Sequence, residues 1–228
     1  MEAVPLKVYS LKDAFASGKT VNGKTITHPI VGEALAEISG VQLPTTKDFP
    51  GALVGGMAAQ AWLYSPLSVN KNLKYLRKTY DMEFILPPHL EKKDYGTISK
   101  SLEFLGECEV KKGGDGVYVV ELNYDEEERP LRVSFYNGVE NAKQIIRALK
   151  FAQELPIPEK ESVVPCIRVE DIIASKAKRL RPKDIYDIQL LNLFYGRNLD
   201  IDYMSTAMDE WGIEKIVKLK TIGKLELF

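Results

Sequence analysis

Apolar and polar positions alternate with a period of two in RKTYDMEF, where Arg77, Thr79, Asp81 and Glu83 interleave with Tyr80, Met82 and Phe84. In a strand, residues two apart point to the same side, so this segment predicts one apolar face and one that carries chemistry. Upstream, Ala52, Leu53 and Val54 form a short apolar run that ends at Gly55-Gly56. Strong helix formers then fill 57–64, with no breaker before Pro66. Residues 51–86 therefore read as strand, glycine turn, helix, polar loop and strand, and the rest of the chain reads as support for them.

The period changes to that of a helix at 31–38, where Val31, Ala34, Leu35 and Ile38 share a face ahead of Gly40. Residues 97–105, with Ile98, Leu102 and Leu105, predict another helix after the Pro87-Pro88 stop, and 141–154, with Ile145, Ile146, Leu149 and Ala152, predict a third. Between these two, ECEVKK, VYVVELNY and LRVSFY read as a meander joined by GGDG and DEEERP. After the Pro156/Pro158 segment, 163–169 predicts a strand and the remainder is helical. In VEDIIASKAKRL the apolar residues Ile172, Ile173, Ala177 and Leu180 define an inner face with Lys176 beside it and Lys178 directed elsewhere. RPKDIYDIQLL places Asp184 and Asp187 on the side of Leu191.

The expected class is α/β (α+β): a mixed sheet built from 52–54, 80–86 and the meander, flanked by helices. A C-terminal helical region after about residue 168 is expected to face the glycine turn, with Asp81 and Lys176 on one cleft. Residues 1–50 are expected to form a hairpin and helix that pack on the core, 51–158 the core itself, and 159–228 a C-terminal strand and helical region.

Composition narrows the function classes. With 228 residues, 45% of them hydrophobic, the chain can bury an ordinary core. Its 31 basic and 32 acidic residues leave a net charge of −1, so no global field draws it to nucleic acid and any RNA contact must be local. No run approaches the ~18 apolar residues of a membrane span, and MEAVPLKVYSLKDAF lacks an apolar signal core, so a cytoplasmic protein without a membrane partner is expected. Cys108 and Cys166 read as free thiols within strands, and His28 and His89 lie apart beside prolines, which points away from a histidine metal cluster or triad. Residues 18–25, GKTVNGKT, match a phosphate-loop pattern letter for letter, yet neither a preceding strand nor a helix at Lys24-Thr25 is expected. Asn22-Gly23 reads as a hairpin turn instead.

Two local features carry chemistry. A helix that starts at Gly55-Gly56 leaves its first amides unpartnered, and the missing side chains let a phosphate chain approach. Asp81 and Glu83 on one strand face can share a divalent metal, because magnesium prefers hard oxygen ligands and serves phosphoryl transfer.

Gly55-Gly56 opening a helix, followed by Arg77-x-Thr79-x-Asp81-x-Glu83, resembles the nucleotidyltransferase fold and in particular the abortive-infection toxins of the AbiEii type. In that family the first motif is Gly-Gly or Gly-Ser followed by R-x-T-x-D-x-D, and this chain has Glu83 at the second acid. The later block E-D-I-I-x-x-K-x-x-R-L followed by K-D-x-x-D is similar to the family's second signature region. The resemblance covers about residues 51–200. It implies transfer of a nucleoside monophosphate from a nucleoside triphosphate, with Asp81 and Glu83 as catalytic, Mg2+-holding residues. Gly55, Gly56, Arg77, Thr79, Lys176, Asp184 and Asp187 would bind the nucleotide. The implied acceptor is RNA, such as a tRNA end, or protein, and the implied partner is an antitoxin. A third carboxylate would be expected in LRVSFY, where Ser134 stands, and Glu121 is the nearby substitute. This departure leaves a second expectation open, a regulatory module that keeps the fold and binds nucleotide with little turnover.

Overall fold

The computed structural model describes residues 20–21, 24–25, 31–46, 48–69, 81–88, 90–112, 117–123, 130–137, 142–157 and 162–213. Strands β1 (Thr20–Val21) and β2 (Lys24–Thr25) pair antiparallel, Thr20 opposite Thr25 and Val21 opposite Lys24. Lys24 and Thr25 thus lie in a strand and not at a helix start, which removes the context a phosphate loop requires. Helix α1 (Val31–Gly40) buries Val31, Ala34, Leu35 and Ile38, the face read from the sequence.

Strand β3 (Ala52–Val54) passes directly into α2 (Gly55–Val69), which continues beyond Pro66. Proline has no amide to donate to the carbonyl four residues back, here that of Trp62. The Tyr195 hydroxyl donates to that carbonyl at 2.6 Å, so the orphaned acceptor is satisfied from outside the helix and the expected break does not occur. Strand β4 (Asp81–Ile85) follows, while Arg77, Thr79, Tyr80, His28 and His89 lie outside the described residues.

Helix α3 (Lys92–Leu102) starts ahead of the expected 97 because Glu91 and Asp94 cap it reciprocally, Asp94 Oδ2 accepting from the Glu91 amide at 2.8 Å. The meander is present as β5 (Glu107–Lys112), β6 (Val117–Asn123) and β7 (Leu131–Tyr136). Helix α4 (Ala142–Lys150) is shorter than the expected 141–154. Its last positions instead form β8 (Gln153–Pro156), which pairs antiparallel with β9 (Val163–Cys166) and places Pro156 on an edge strand, where a missing amide is tolerated. Three helices complete the described chain: α5 (Val169–Ala177), α6 (Pro182–Tyr195) and α7 (Ile201–Glu210).

The molecule is a mixed α/β fold whose seven-stranded sheet has the order β5-β6-β7-β4-β3-β9-β8. β4 runs parallel to β7 and β3 parallel to β9, and the other pairs are antiparallel. β8 and β9 join this sheet from either side of residue 158. On one sheet face Leu53, Met82, Phe84, Val120, Val133 and Phe135 are buried. Phe84 stacks on Phe135 at 5.6 Å between centroids, and Tyr95 of α3 stacks on Tyr118 at 3.8 Å. Burying this aliphatic and aromatic layer contributes the hydrophobic gain on that side. Helix α2 packs on β4, α5 and α6. Both cysteines are free, Cys166 buried and Cys108 half-buried. Among the described residues, no helix is long and apolar enough to cross a membrane.

Candidate active site

The pairing of β4 with β3 and β7 lays three cross-strand rows on the second sheet face. In the first, Asp81 lies beside Arg132, and Arg132 beside Glu121. In the next, Glu83 lies between Val54 and Ser134. In the third, Ile85 lies between Ala52 and Tyr136, with Val117 beyond. The face therefore grades from charged, through carboxylate and hydroxyl, to apolar in steps of roughly 7 Å.

Gly55 opens α2 with φ of 71°, in the left-handed region. A Cβ at this position would overlap Glu83 Oε2, so glycine is required twice, for its backbone angle and for its empty side. The Glu83 carboxylate sits directly against the backbone at the start of α2, and its Oε1 accepts from the Tyr136 hydroxyl at 3.3 Å. Burial, reinforced by the charge of Glu83, pushes the Tyr136 phenol up and keeps it a donor.

Gly55, Glu83 and Tyr136 line a cleft of about 370 Å3 that α4, α5 and Trp211 close from the other side. From α5 and the residues just after it come Asp171, Ser175, Lys178 and Arg179. The Lys178 ammonium stands 6.0 Å from the centre of the Trp211 ring. Lys178 was expected to point elsewhere; it lines the cleft because Asp171, Ser175 and Lys178, spaced i, i+4 and i+7, form the polar stripe that α5 turns toward the sheet.

Asp81 is half-buried on the Glu83 face but is not among the cleft-lining residues, and neither is Lys176. Lys176 is 1% exposed, with Nζ 2.7 Å from Asp187 Oδ2 and 3.7 Å from Asp184 Oδ1. Gln60 of α2 donates to Asp187 Oδ1 at 3.3 Å, and Arg181 Nε donates to Asp184 Oδ2 at 2.7 Å. The structure thus brings Lys176, Asp184 and Asp187 together as a buried ion cluster that ties α5, α6 and α2. Burial alone would raise the Asp184 carboxyl, but the Arg181 hydrogen bonds and the Lys176 charge hold it below the ordinary carboxylate value. Asp184 also accepts from the Arg181 amide at 3.3 Å, which caps α6. Arg181 is raised chiefly by its hydrogen bond to Asp184, and Glu83 adds to the same field, linking cluster and cleft electrostatically.

A second network holds the far side of the cleft. Arg147 Nη1 lies 2.8 Å from Asp171 Oδ1, and the Tyr203 hydroxyl donates to Asp171 Oδ2 at 2.8 Å. Burial pushes the Asp171 carboxyl up, against the opposing pull of Arg147 and Tyr203. Glu121 lies two strands from β4 and takes its ion pair from Lys111 at 2.6 Å, whereas Ser134 is buried in register with Glu83. Among the described residues, no three His, Cys, Asp or Glu side chains converge as a metal-binding group. What the strand offers is the Asp81/Glu83 pair.

No protein-family model matches the chain, and no curated protein matches it in sequence. Among solved structures, JHP933 from Helicobacter pylori superposes with a TM-score of 0.51 at 15% identity, over 86% of this chain and 88% of that protein. The chain shares the JHP933 fold. A proposed nucleotidyltransferase from H. pylori has a TM-score of 0.49 at 15% identity over 86% of this chain and 90% of its own. An antigenic nucleotidyltransferase-like protein from Paracoccidioides brasiliensis has a TM-score of 0.43 at 14% identity over 76% and 84%. The fold assignment rests on JHP933. In this chain the JHP933 fold gathers the glycine turn, β4 and α5 around one cleft, and sequence reasoning missed Tyr136, Gln144, Arg179 and Trp211 on its walls. The i, i+4, i+7 stripe was the one available signal for the α5 contribution.

Proposed function

We propose that this chain is a magnesium-dependent nucleotidyltransferase of the AbiEii type, which moves a nucleoside monophosphate from a nucleoside triphosphate to an acceptor. One observation carries the reading: the left-handed Gly55 turn seats Glu83 against the start of α2, inside a cleft that Lys178 and Arg179 also line. Free amides at a helix start and two cations suit a phosphate chain. In this proposal Gly55, Gly56, Lys178 and Arg179 hold the triphosphate, with Arg77 and Thr79 of the same motif assisting. Asp81 and Glu83 offer hard oxygens two residues apart on one face, which fits magnesium once phosphate oxygens complete its shell. Magnesium bound there would reduce phosphate charge and stabilise the departing pyrophosphate. The acceptor hydroxyl oxygen bonds to the α-phosphorus, the bond from that phosphorus to the bridging oxygen breaks, and pyrophosphate leaves while the hydroxyl proton passes to solvent. Lys176, Asp184 and Asp187 serve the nucleotide from behind, by fixing α5 and Arg181.

By the same resemblance, the proposal extends to an RNA acceptor such as a tRNA end, an antitoxin partner, and a cytoplasmic toxin role in a toxin–antitoxin or phage-defence system. Incubation of the protein with each labelled triphosphate, magnesium and total RNA is the test. Label transfer is expected, and its absence with every triphosphate, from folded protein, overturns the enzyme reading. Ser134, buried beside Glu83 where a third acid is expected, favours a second reading: a nucleotide-binding regulatory module with weak or no turnover. Calorimetric binding without transfer supports that alternative.

A further inference from the structure

Past Glu83 the cleft runs over Ile85, Tyr136 and Val117, and α4 covers it with Ile145 and Ala148. Tyr136 and Trp211 both line this space. A narrow apolar slot with aromatic walls suits the flat face of a nucleobase, whose stacking is tolerant of base identity. Selectivity must then come from the polar atoms at the base edge.

Several of those atoms are acceptors. The Gln144 amide nitrogen donates to the carbonyl of Glu210. A carbonyl only accepts, so the orientation of the amide is dictated: nitrogen faces Glu210, and Oε1 is left as an acceptor on a side chain that lines the cleft. Ser175 Oγ donates its hydrogen to the Ile172 carbonyl at 3.0 Å and presents lone pairs to its surroundings. Asp171 Oδ2 accepts from Tyr203, and Oδ1 forms an ion pair with Arg147. Trp211 Nε1 is the exception, a donor that is sealed from solvent and makes no hydrogen bond within the protein. Lys178 and Arg179 are the cations assigned to the phosphates.

Resting on the nucleotide reading above, we infer that this end of the cleft is a base subsite in which Gln144 Oε1 accepts a hydrogen bond from an exocyclic amine. The protein then favours a triphosphate with an amino-bearing base over its keto counterpart. A keto oxygen in the same place would meet Oε1 acceptor to acceptor and lose its water without replacement, the situation in which polar sites discriminate most strongly.

The test is equilibrium binding to the full chain in magnesium with two matched pairs, cytidine against uridine triphosphate and adenosine against inosine triphosphate. Calorimetry measures affinity. Fluorescence reports the site, because the chain has 2 tryptophans, of which Trp211 lines the cleft and Trp62 is not among its lining residues. The expected result is that the amino member of at least one pair binds about tenfold tighter, a preference within reach of one well-placed hydrogen bond. It should be lost in Gln144→Leu, and ligand-induced quenching should disappear in Trp211→Phe. If Gln144→Leu does not fold, Gln144→Ser serves in its place, and the wild-type pairs already decide. Equal binding within both pairs, a keto preference, or an amino preference that survives loss of the Gln144 amide overturns the base subsite while leaving the nucleotide reading intact. If none of the four triphosphates binds, both fail together.

Discussion

At the scale of single residues, Gly55 and Glu83 are one device, because the backbone that only glycine adopts readily is also the floor on which the carboxylate rests. Gly55→Ala meets both obstacles and should lower stability by about 1–3 kcal/mol, measured by urea unfolding, together with a loss of nucleotide binding. Adding Glu83→Ala removes the overlap, so the double variant should be more stable than the sum of the single effects, by a margin that a double-mutant cycle reads. Strict additivity would mean that the overlap has no energetic weight. The two lysines of α5 and its end separate in the same way. Lys176→Ala removes the ammonium that sits between two buried carboxylates and should cost about 3–5 kcal/mol of stability. Lys178→Ala should leave the unfolding midpoint nearly unchanged and weaken triphosphate binding several-fold. A variant pair with these effects exchanged would place the phosphate contact on Lys176.

Elements depend on partners that are remote in sequence. Helix α2 survives Pro66 because Tyr195, on α6, supplies the donor that proline cannot, and burial lifts the Tyr195 phenol to about 12, so it remains a donor over the accessible range. Tyr195→Phe should therefore cost about 1 kcal/mol, the penalty of a part-buried carbonyl that loses its donor. In a Pro66→Ala background the same change should cost less, since the amide of residue 66 can then reach Trp62 within the helix. Equal costs in both backgrounds would refute this account. The start of α6 has a pH signature. Asp184 is held below its ordinary 3.8, so its stabilising contribution is complete above about pH 4 and is lost as pH falls toward its lowered value. Asp184→Asn should be less stable at neutral pH and should show a flatter loss of stability below pH ~4, as read from denaturant unfolding across pH 2.5–6 (roughly that window).

At the scale of the whole molecule, the sheet places Ser134 in register with Glu83 and leaves Glu121 on the far side of Arg132, paired with Lys111. Ser134→Asp introduces a third carboxylate beside Glu83, and without metal the added repulsion should lower the melting temperature. Magnesium should recover that loss and raise the variant's melting temperature more than the wild type's, by mass action on the folded state. Transfer rate should rise with it. Glu121→Gln should alter neither property appreciably, because its ion pair lies at the exposed edge of the sheet. A magnesium response equal in wild type and Ser134→Asp would separate Ser134 from the metal position.

Alternation along 81–85, the helical face at 31–40 and the three meander strands were legible in the sequence because each rests on a local period that burial on one side enforces. The Gly55-Gly56 turn was legible for the same kind of reason, a backbone requirement met by one residue type. Tertiary structure alone decided that Gln153–Pro156 is a strand, since its pairing partner Val163–Cys166 outweighs the helical pattern that ends at Ala152. For the cations of KAKR the helical period set Lys176 beside the apolar face, but only packing decided that it is buried against Asp184 and Asp187 while Lys178 and Arg179 line the cleft. Trp211, Gln144 and Tyr136 reach that cleft from three elements far apart along the chain, and no local period records a meeting that is created when the sheet and helices close around it.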